Sequence, residues 1–462
     1  CLINKSVNLF KKTMKRFYLI LISLIISTNY IKSQNELELL FQWSDENISD
    51  DNWVGNTYNE IWGVAQNGHE FAIIGSTQGT HIFDITNAED GYLVAYIEGA
   101  DASPSIVHRD FHDYSGYLYA VADEGESTLQ IIDISNLPNN FEIVYDSNEF
   151  IKRAHNIFID AESAIMYVCG GRVLNEWNNL ALFSIEEPEN PIFLGTFDDV
   201  GYVHDIYVED NIGYLNSGDN GLFIVDFSDH LSPQIIGSLT QYPDKGYNHS
   251  GWLDSTGEIY IFADENHGFE MKICDVSNPN DIIVNTTFLS NVDSESIAHN
   301  LIIKNNYVYV SHYHDGLYIW DISDPSNPIV AGNFDTYLPE NHDSYRGAWG
   351  VYPLLPSGNI LVSDMQSGLF VLSPLENQNS LITEKEKKIS IFPNPFSNEV
   401  NFSFLNLNEN VIMKVFDING KLVFEKNILE PNNKLSINLI AGIYFAHFEI
   451  ENDLYIRKLI KY

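Results

Sequence analysis

Four histidines recur at one position of an internal repeat: His155, His204, His249 and His299 each stand at the start of a β-type run. Aligned on the aromatic residue of the following run, that slot reads Trp62, Arg109, His155, His204, His249, His299 and Trp349, with His108 one position out of register. The next slot reads Gly63, Asp110, Asn156, Asp205, Ser250, Asn300 and Gly350. The ends of the second runs add Asp123, Glu124, Asp219, Asp264, Glu265, His312 and Asp364. Imidazole beside carboxylate is a donor set for a borderline divalent metal, so His155, His204, His249 and His299 are candidate metal ligands and a divalent cation is the candidate cofactor. The wider set, from Arg109 and Asp110 to Glu265 and His312, makes a candidate ligand-binding mouth. A structural reading competes: each imidazole bonds a neighbouring backbone or Asp and fills space. Spacing favours the structural reading, because a ring of equivalent slots spreads ligands around a wide channel. The second slot lies one strand position on, so its side chains should point the other way unless the strands begin with a bulge.

These residues need a repeat to hold them. Within 298–335, LIIK, YVYVS and GLYIWDI are rich in Ile, Val, Tyr and Leu and are parted by Asn305-Asn306 and His314-Asp315-Gly316, which is turn chemistry. After Asp324-Pro325-Ser326-Asn327-Pro328, IVAGNF makes a fourth run. The third run recurs as GTHIFDIT, TLQIIDIS, GLFIVDFS, FEMKICDVS and GLYIWDIS, with a degenerate ALFSIEEP at 181–188 and a final GLFVLSP at 368–374. The steps between Asp84, Asp133, Asp226, Asp275 and Asp321 are 49, 93 (two units), 49 and 46 residues. Seven four-stranded units of this size predict an all-β, seven-bladed propeller over 34–378, since an isolated sheet buries too little and must stack. The last unit lacks a Pro-bounded outer strand, and LELLFQW at 37–43 is expected to supply it by pairing with 368–374, closing the ring.

Charge divides the chain in three. Residues 1–33 hold 6 Lys/Arg and no acids, residues 34–384 hold 8 Lys/Arg against 55 Asp/Glu (net −47), and residues 385–462 hold 10 against 9. The acidic part will repel nucleic acid and anionic membranes; it suits solubility in a salty exterior and could attract cations. Residues 14–33, basic and then briefly apolar, read as a signal peptide starting at Met14, with 1–13 as upstream sequence. The apolar run from Phe17 to Ile26 is too short to span a bilayer, so no transmembrane segment is expected in the mature chain. Cys1 falls with the leader; Cys169 and Cys274 are expected as buried thiols rather than a disulfide. Residues 379–388 are a polar linker, and 389–462 alternate as short strands with Asn-Gly and Ala-Gly turns, a small antiparallel sandwich. No Walker loop, GxSxG, HExxH or EF-hand loop is present.

Over about 35–375 the sequence resembles the choice-of-anchor B family, related to LVIVD-repeat proteins. The resemblance rests on segments such as IWGVAQNGHEFAIIGSTQGTHIFDI, AHNIFID, VHDIYV, GYNHSGWL and RGAWGVYPLLPSGNILVSDMQSGLFVL. It implies a secreted domain with no established activity; blade three departs from the repeat at Ser184-Ile185-Glu186. The tail resembles a type A sorting domain of the type IX secretion system of Bacteroidota, through FPNPF at 392–396, VFDINGKLV at 415–423, AGIYF at 441–445 and the terminal RKLIKY. That resemblance implies the secretion machinery as a partner, export, and removal of the tail with release or attachment at the cell surface. Three functions stay open: a secreted or surface-attached binding module for protein or glycan, a metal-dependent hydrolase using the His mouth, and an inert adhesion scaffold.

Overall fold

The computed structural model describes residues 35–51, 54–339 and 344–375, and in the tail 389–392, 399–404, 411–417, 421–428, 432–436, 439–440, 442–450 and 453–461. The signal peptide, the linker and the tail's Asn-Gly turn lie outside the described residues. The chain divides into two compact units that part between Leu375 and Glu376.

The first unit is a ring of seven four-stranded antiparallel sheets, the seven-bladed propeller. Blades one to six run Tyr58–Glu98, Arg109–Ser147, Ile151–Thr196, Asp205–Leu239, Asn248–Phe288 and Leu301–Phe334 in simple strand order. Blade seven takes three strands from Ala348–Leu372, and Leu39–Trp43 supplies its outer strand, with Leu39 opposite Leu372 and Trp43 opposite Leu369. The two residues before it add something unexpected: Asn35–Glu36 pairs parallel with Gly332 and Asn333 of blade six, so the N-terminal segment straddles two blades. Each adjacent pair of blades shares one apolar cluster, seven in all, and the cluster joining Ile74 and Phe83 of blade one to Leu361 and Val371 of blade seven closes the ring.

The repeated Asp of the third strands is a turn residue. In Asp84, Asp133, Asp226, Asp275 and Asp321 a carboxylate oxygen accepts the backbone N–H two residues on, at 2.8–3.0 Å. This Asx turn starts the crossing to the outer strand. Blade three breaks the pattern only chemically: its third strand is Glu176–Ser184, and the Ser184 hydroxyl accepts from Glu186 N instead. Cys169 and Cys274 are both free and buried, each within an interblade cluster.

The second unit is a small sandwich of a three-stranded and a four-stranded antiparallel sheet. Val400 and Leu435 from one sheet pack against Met413, Val415, Ala446, Phe448 and Leu459 from the other.

Candidate functional site

First strands line the channel, and their side chains fall in three tiers. The upper tier is a closed run of rings: His108–His155 at 5.2 Å between centroids, His155–His204 at 4.1 Å, His204–His249 at 4.0 Å, His249–His299 at 4.5 Å, His299–Trp349 at 4.5 Å and Trp349–His108 at 5.1 Å. The middle tier is Glu60, Asp110, Asn156, Asp205, Ser250 and Asn300. The lower tier is aromatic: Trp62 touches His112 and Tyr352, and Phe158, Tyr207 and Trp252 continue it.

Consecutive residues such as His204 and Asp205 both face the channel because the strands begin irregularly. The ladder skips His249 in blade five and Trp349 in blade seven, and in blades four and six it starts only at Asp205 and Leu301. An extra residue turns one side chain to the face its neighbour already uses. The bulge that would bring the two slots onto one face is thus present at these strand starts.

Two alignment positions are corrected. His108, not Arg109, sits in the ring; Arg109 is in regular register opposite Ala122 and its guanidinium turns into the protein. There its Nε donates to Ser76 O at 2.7 Å and Nη2 to Asp101 O at 2.9 Å, a buried cation held by carbonyls of the preceding blade. Trp62 belongs to the lower tier, and Glu60 takes blade one's place among the acids, where Gly350 leaves it room. Glu60 was legible as the first member of a polar-x-aromatic series, Glu60-x-Trp62, Asp110-x-His112, Asp205-x-Tyr207, Ser250-x-Trp252, that the alignment did not use.

The second-strand residues scatter. Asp123, Glu124 and Glu265 reach the mouth. Asp264 does not: it is fully buried, bonded to Lys272 Nζ at 2.7 Å, Tyr242 OH at 2.9 Å and Gly246 N at 2.9 Å, and so neutralises a buried lysine. His312 lies inside blade six, 3.3 Å from Asp315 and beside Trp320. Asp219 is exposed on the rim, where its carbonyl accepts from Lys245 at 2.7 Å.

The imidazoles are oriented by their outward nitrogens. Nδ1 of His204 donates to His249 O at 3.1 Å, Nδ1 of His299 to Trp349 O, Nδ1 of His155 meets Asp123 Oδ2 at 2.8 Å, and Nδ1 of His108 meets Glu124. A carbonyl can only accept, so His204 and His299 carry their proton on Nδ1 and present the Nε2 lone pair. Among the described residues no hydrogen-bond partner reaches Nε2 of these four rings. Structural anchoring and an inward-facing lone pair, posed as alternatives by the sequence, coexist on opposite sides of the same rings.

Electrostatics follow from burial. Burial, and then the neighbouring imidazoles, press His204 and His249 well below the usual histidine range, and burial brings His299 to about 3. Burial opposes charge on His108 too, but the Glu124 contact wins and raises it. Burial raises Glu60 to about 8, helped by Asp110, raises Asp110 to about 7, and lifts Asp205 well above the carboxylate range, again with Asp110 contributing. The channel thus holds neutral His204, His249 and His299 over carboxyls that keep their protons near neutral pH.

Above the ring is a cavity of about 430 Å³, walled by ring members with Tyr202, Tyr247, Tyr313, Tyr345 and Glu265. A second cavity of about 550 Å³ shares Tyr247, Glu265 and Tyr345 with it. Between the ring and the acids the space shrinks to about 20 Å³, enough for one water or ion. At the rim Trp177, 58 % exposed, stacks on Tyr202 with 10° between planes.

LVIVD repeats match residues 114–143, 200–241 and 296–336, which fall on blades two, four and six. Residues 390–462 match the secretion system C-terminal sorting domain. No curated protein matches the chain. Among solved structures the β-propeller domain of Myceliophteria_thermophila Cps50 (Swd1) is similar, with a TM-score of 0.50 and 12% identity, covering 69% of this chain and 97% of that one. At that identity the likeness concerns the fold alone. No helix among the described residues is long and apolar enough to cross a membrane.

Proposed function

We propose, for an LVIVD-repeat propeller whose sorting domain directs it through type IX secretion to the cell surface or beyond, that the propeller is a glycan-binding module. Its ligand enters the mouth above the histidine ring. The tail serves as the address read by the secretion machinery and is removed on export, leaving the propeller as the working part.

The observation that carries this reading is the mouth: a concave space of about 430 Å³ with imidazole, phenol and carboxyl groups, and a stacked Trp177–Tyr202 pair at its edge. That volume is in the range of small-ligand sites, whereas a protein partner needs roughly 800 Å² of matching surface on each side. Flat aromatic faces fit the apolar faces of sugar rings, and the surrounding polar groups fit hydroxyls.

Screening the full chain on a glycan array, then measuring affinity for the best oligosaccharide, tests the reading. Trp177→Ala removes an exposed side chain and should leave the melting temperature unchanged while weakening binding at least tenfold. An array with no binder, or a binder indifferent to Trp177→Ala and Tyr345→Ala, returns the mouth to the inert-scaffold reading.

A further inference from the structure

Not all the donors around the mouth are equally committed. Two groups bring three donor atoms within 4.8 Å of one another: His108, Asp123 and Glu124, and His249, Glu265 and His299. In the first, the donors are already used. Glu124 takes the His108 ring and also the N–H groups of Val107 and His108, at 3.0 Å each, while Asp123 holds His155.

The second group is differently placed. His299 is fixed from outside by Trp349 O, and Glu265 by the Tyr313 hydroxyl, which donates to Oε1 at 2.6 Å. The inward atoms, His299 Nε2 and Glu265 Oε2, are left facing the cavity. His249 is 3% exposed, its Nδ1 meets only the His299 carbonyl and outside good hydrogen-bond geometry, and its Nε2 lies 3.7 Å from Glu265 Oε2. A buried imidazole without a fixed partner can pivot.

We infer that His249, His299 and Glu265 bind one divalent first-row transition metal, with at least one coordination position open to the ligand cavity. Two imidazoles and one carboxylate are the donor set of open zinc and iron(II) sites. Bonds of about 2.0–2.1 Å place donors roughly 3.3 Å apart, so the group, whose donors lie within 4.8 Å, must tighten by at most about 1.5 Å, which a small rotation of the loosely held His249 ring supplies. The Trp349 carbonyl and Tyr313 hydroxyl are the outer contacts that aim the donors. The metal deepens the binding-site reading above: it would offer a Lewis-acid anchor for a ligand hydroxyl or carboxylate in the same cavity.

Cobalt(II) chloride titrated into EDTA-stripped full-length protein, purified without a histidine tag, tests this through visible d–d absorption. One equivalent should bind, and His249→Gln, His299→Gln and Glu265→Gln should each weaken it about 100-fold, while His69→Gln, at Asp84 of blade one and away from the mouth, should leave it within threefold. Should His299→Gln fail to fold, Glu265→Gln decides, since it keeps the side-chain shape. Absence of stoichiometric binding, binding indifferent to Glu265→Gln, or an equal loss caused by His69→Gln overturns the inference. Glycan affinity measured on the stripped protein keeps the two readings apart: retained glycan binding without any metal site sinks the metal alone.

Discussion

Replacing Leu39–Trp43 by a Gly/Ser stretch of equal length should abolish cooperative folding of the propeller and yield aggregating protein. The strand covers the edge of Gly368–Leu372, and Glu38 and Ser373 exchange hydrogen bonds of 2.8 and 2.9 Å just beyond it. Phe41 and Trp43 cross the blade boundary: Trp43 lies 4.7 Å from Phe83, 4.8 Å from His81 and 5.5 Å from Tyr58, ring centre to ring centre. Trp43→Ala alone should cost about 2–3 kcal/mol, less than the roughly 3–5 kcal/mol of a fully buried aromatic because the ring is only partly covered. Loss of the whole strand removes both aromatics and the ladder, and unpairs an apolar edge. The sum rivals the 5–15 kcal/mol that holds a domain together. Thermal unfolding followed by circular dichroism reads it; a replaced variant that still melts within about 5 °C of the parent would show that the ring does not depend on this closure.

The channel should make the metal-free protein less stable as pH rises from about 6.5 to 8. A carboxyl whose folded pKa is raised binds more protons folded than unfolded between the two values, so stability falls as pH climbs through that window. Glu60, Asp110 and Asp205 in the channel, with Glu265 raised to about 7 and Asp364 to about 6, all act in this direction, each mainly through burial. Depressed histidines act the other way. His204, His249, His299 and His81 hold fewer protons folded than unfolded, so below about 6.5 they add stability as pH rises and offset the acids. Above 6.5 their unfolded forms are neutral too, and the acids act together with His108, whose raised folded pKa also loses stability as pH climbs. With about 1.36 kcal/mol per proton per pH unit, the channel acids give a loss on the order of 4 kcal/mol by pH 8. Asp110→Asn should roughly halve that loss, because Asp110 is the charge that Glu60 and Asp205 share. Melting curves in EDTA at several pH values test it; a flat profile from 6.5 to 8 would mean the three carboxyls are ionised and otherwise compensated.

The sequence carried the architecture further than the chemistry. Five blades could be counted from the Asp steps because each Asp starts the same turn, a local need that repeats with the fold, and the degenerate runs ALFSIEEP and GLFVLSP supplied the other two. The closing strand was legible as an apolar run without a local partner. The site was harder because side-chain direction depends on backbone irregularity. Skipping His249 and Trp349 in the ladder put two adjacent slots on one face, and one residue of drift exchanged His108 for Arg109. Asp264 looked like a mouth residue by position, yet its partner Lys272 lies eight residues on across a hairpin and holds it in the core. Glu265, one residue later, turns the opposite way and reaches the cavity. Trp177 went unnoticed because blade three carries longer central strands than its neighbours, an excursion the repeat could not foretell.

A channel lined by neutral rings requires His204 and His299 to be uncharged and to offer Nε2 inward. Nitrogen NMR of the histidine rings at pH 7, with His204→Gln and His299→Gln used to assign the signals, reads this state directly. His204 and His299 are expected to be neutral, with a protonated Nδ1 and an unprotonated Nε2. Imidazolium signals, or protons on Nε2 of these two rings, would contradict it.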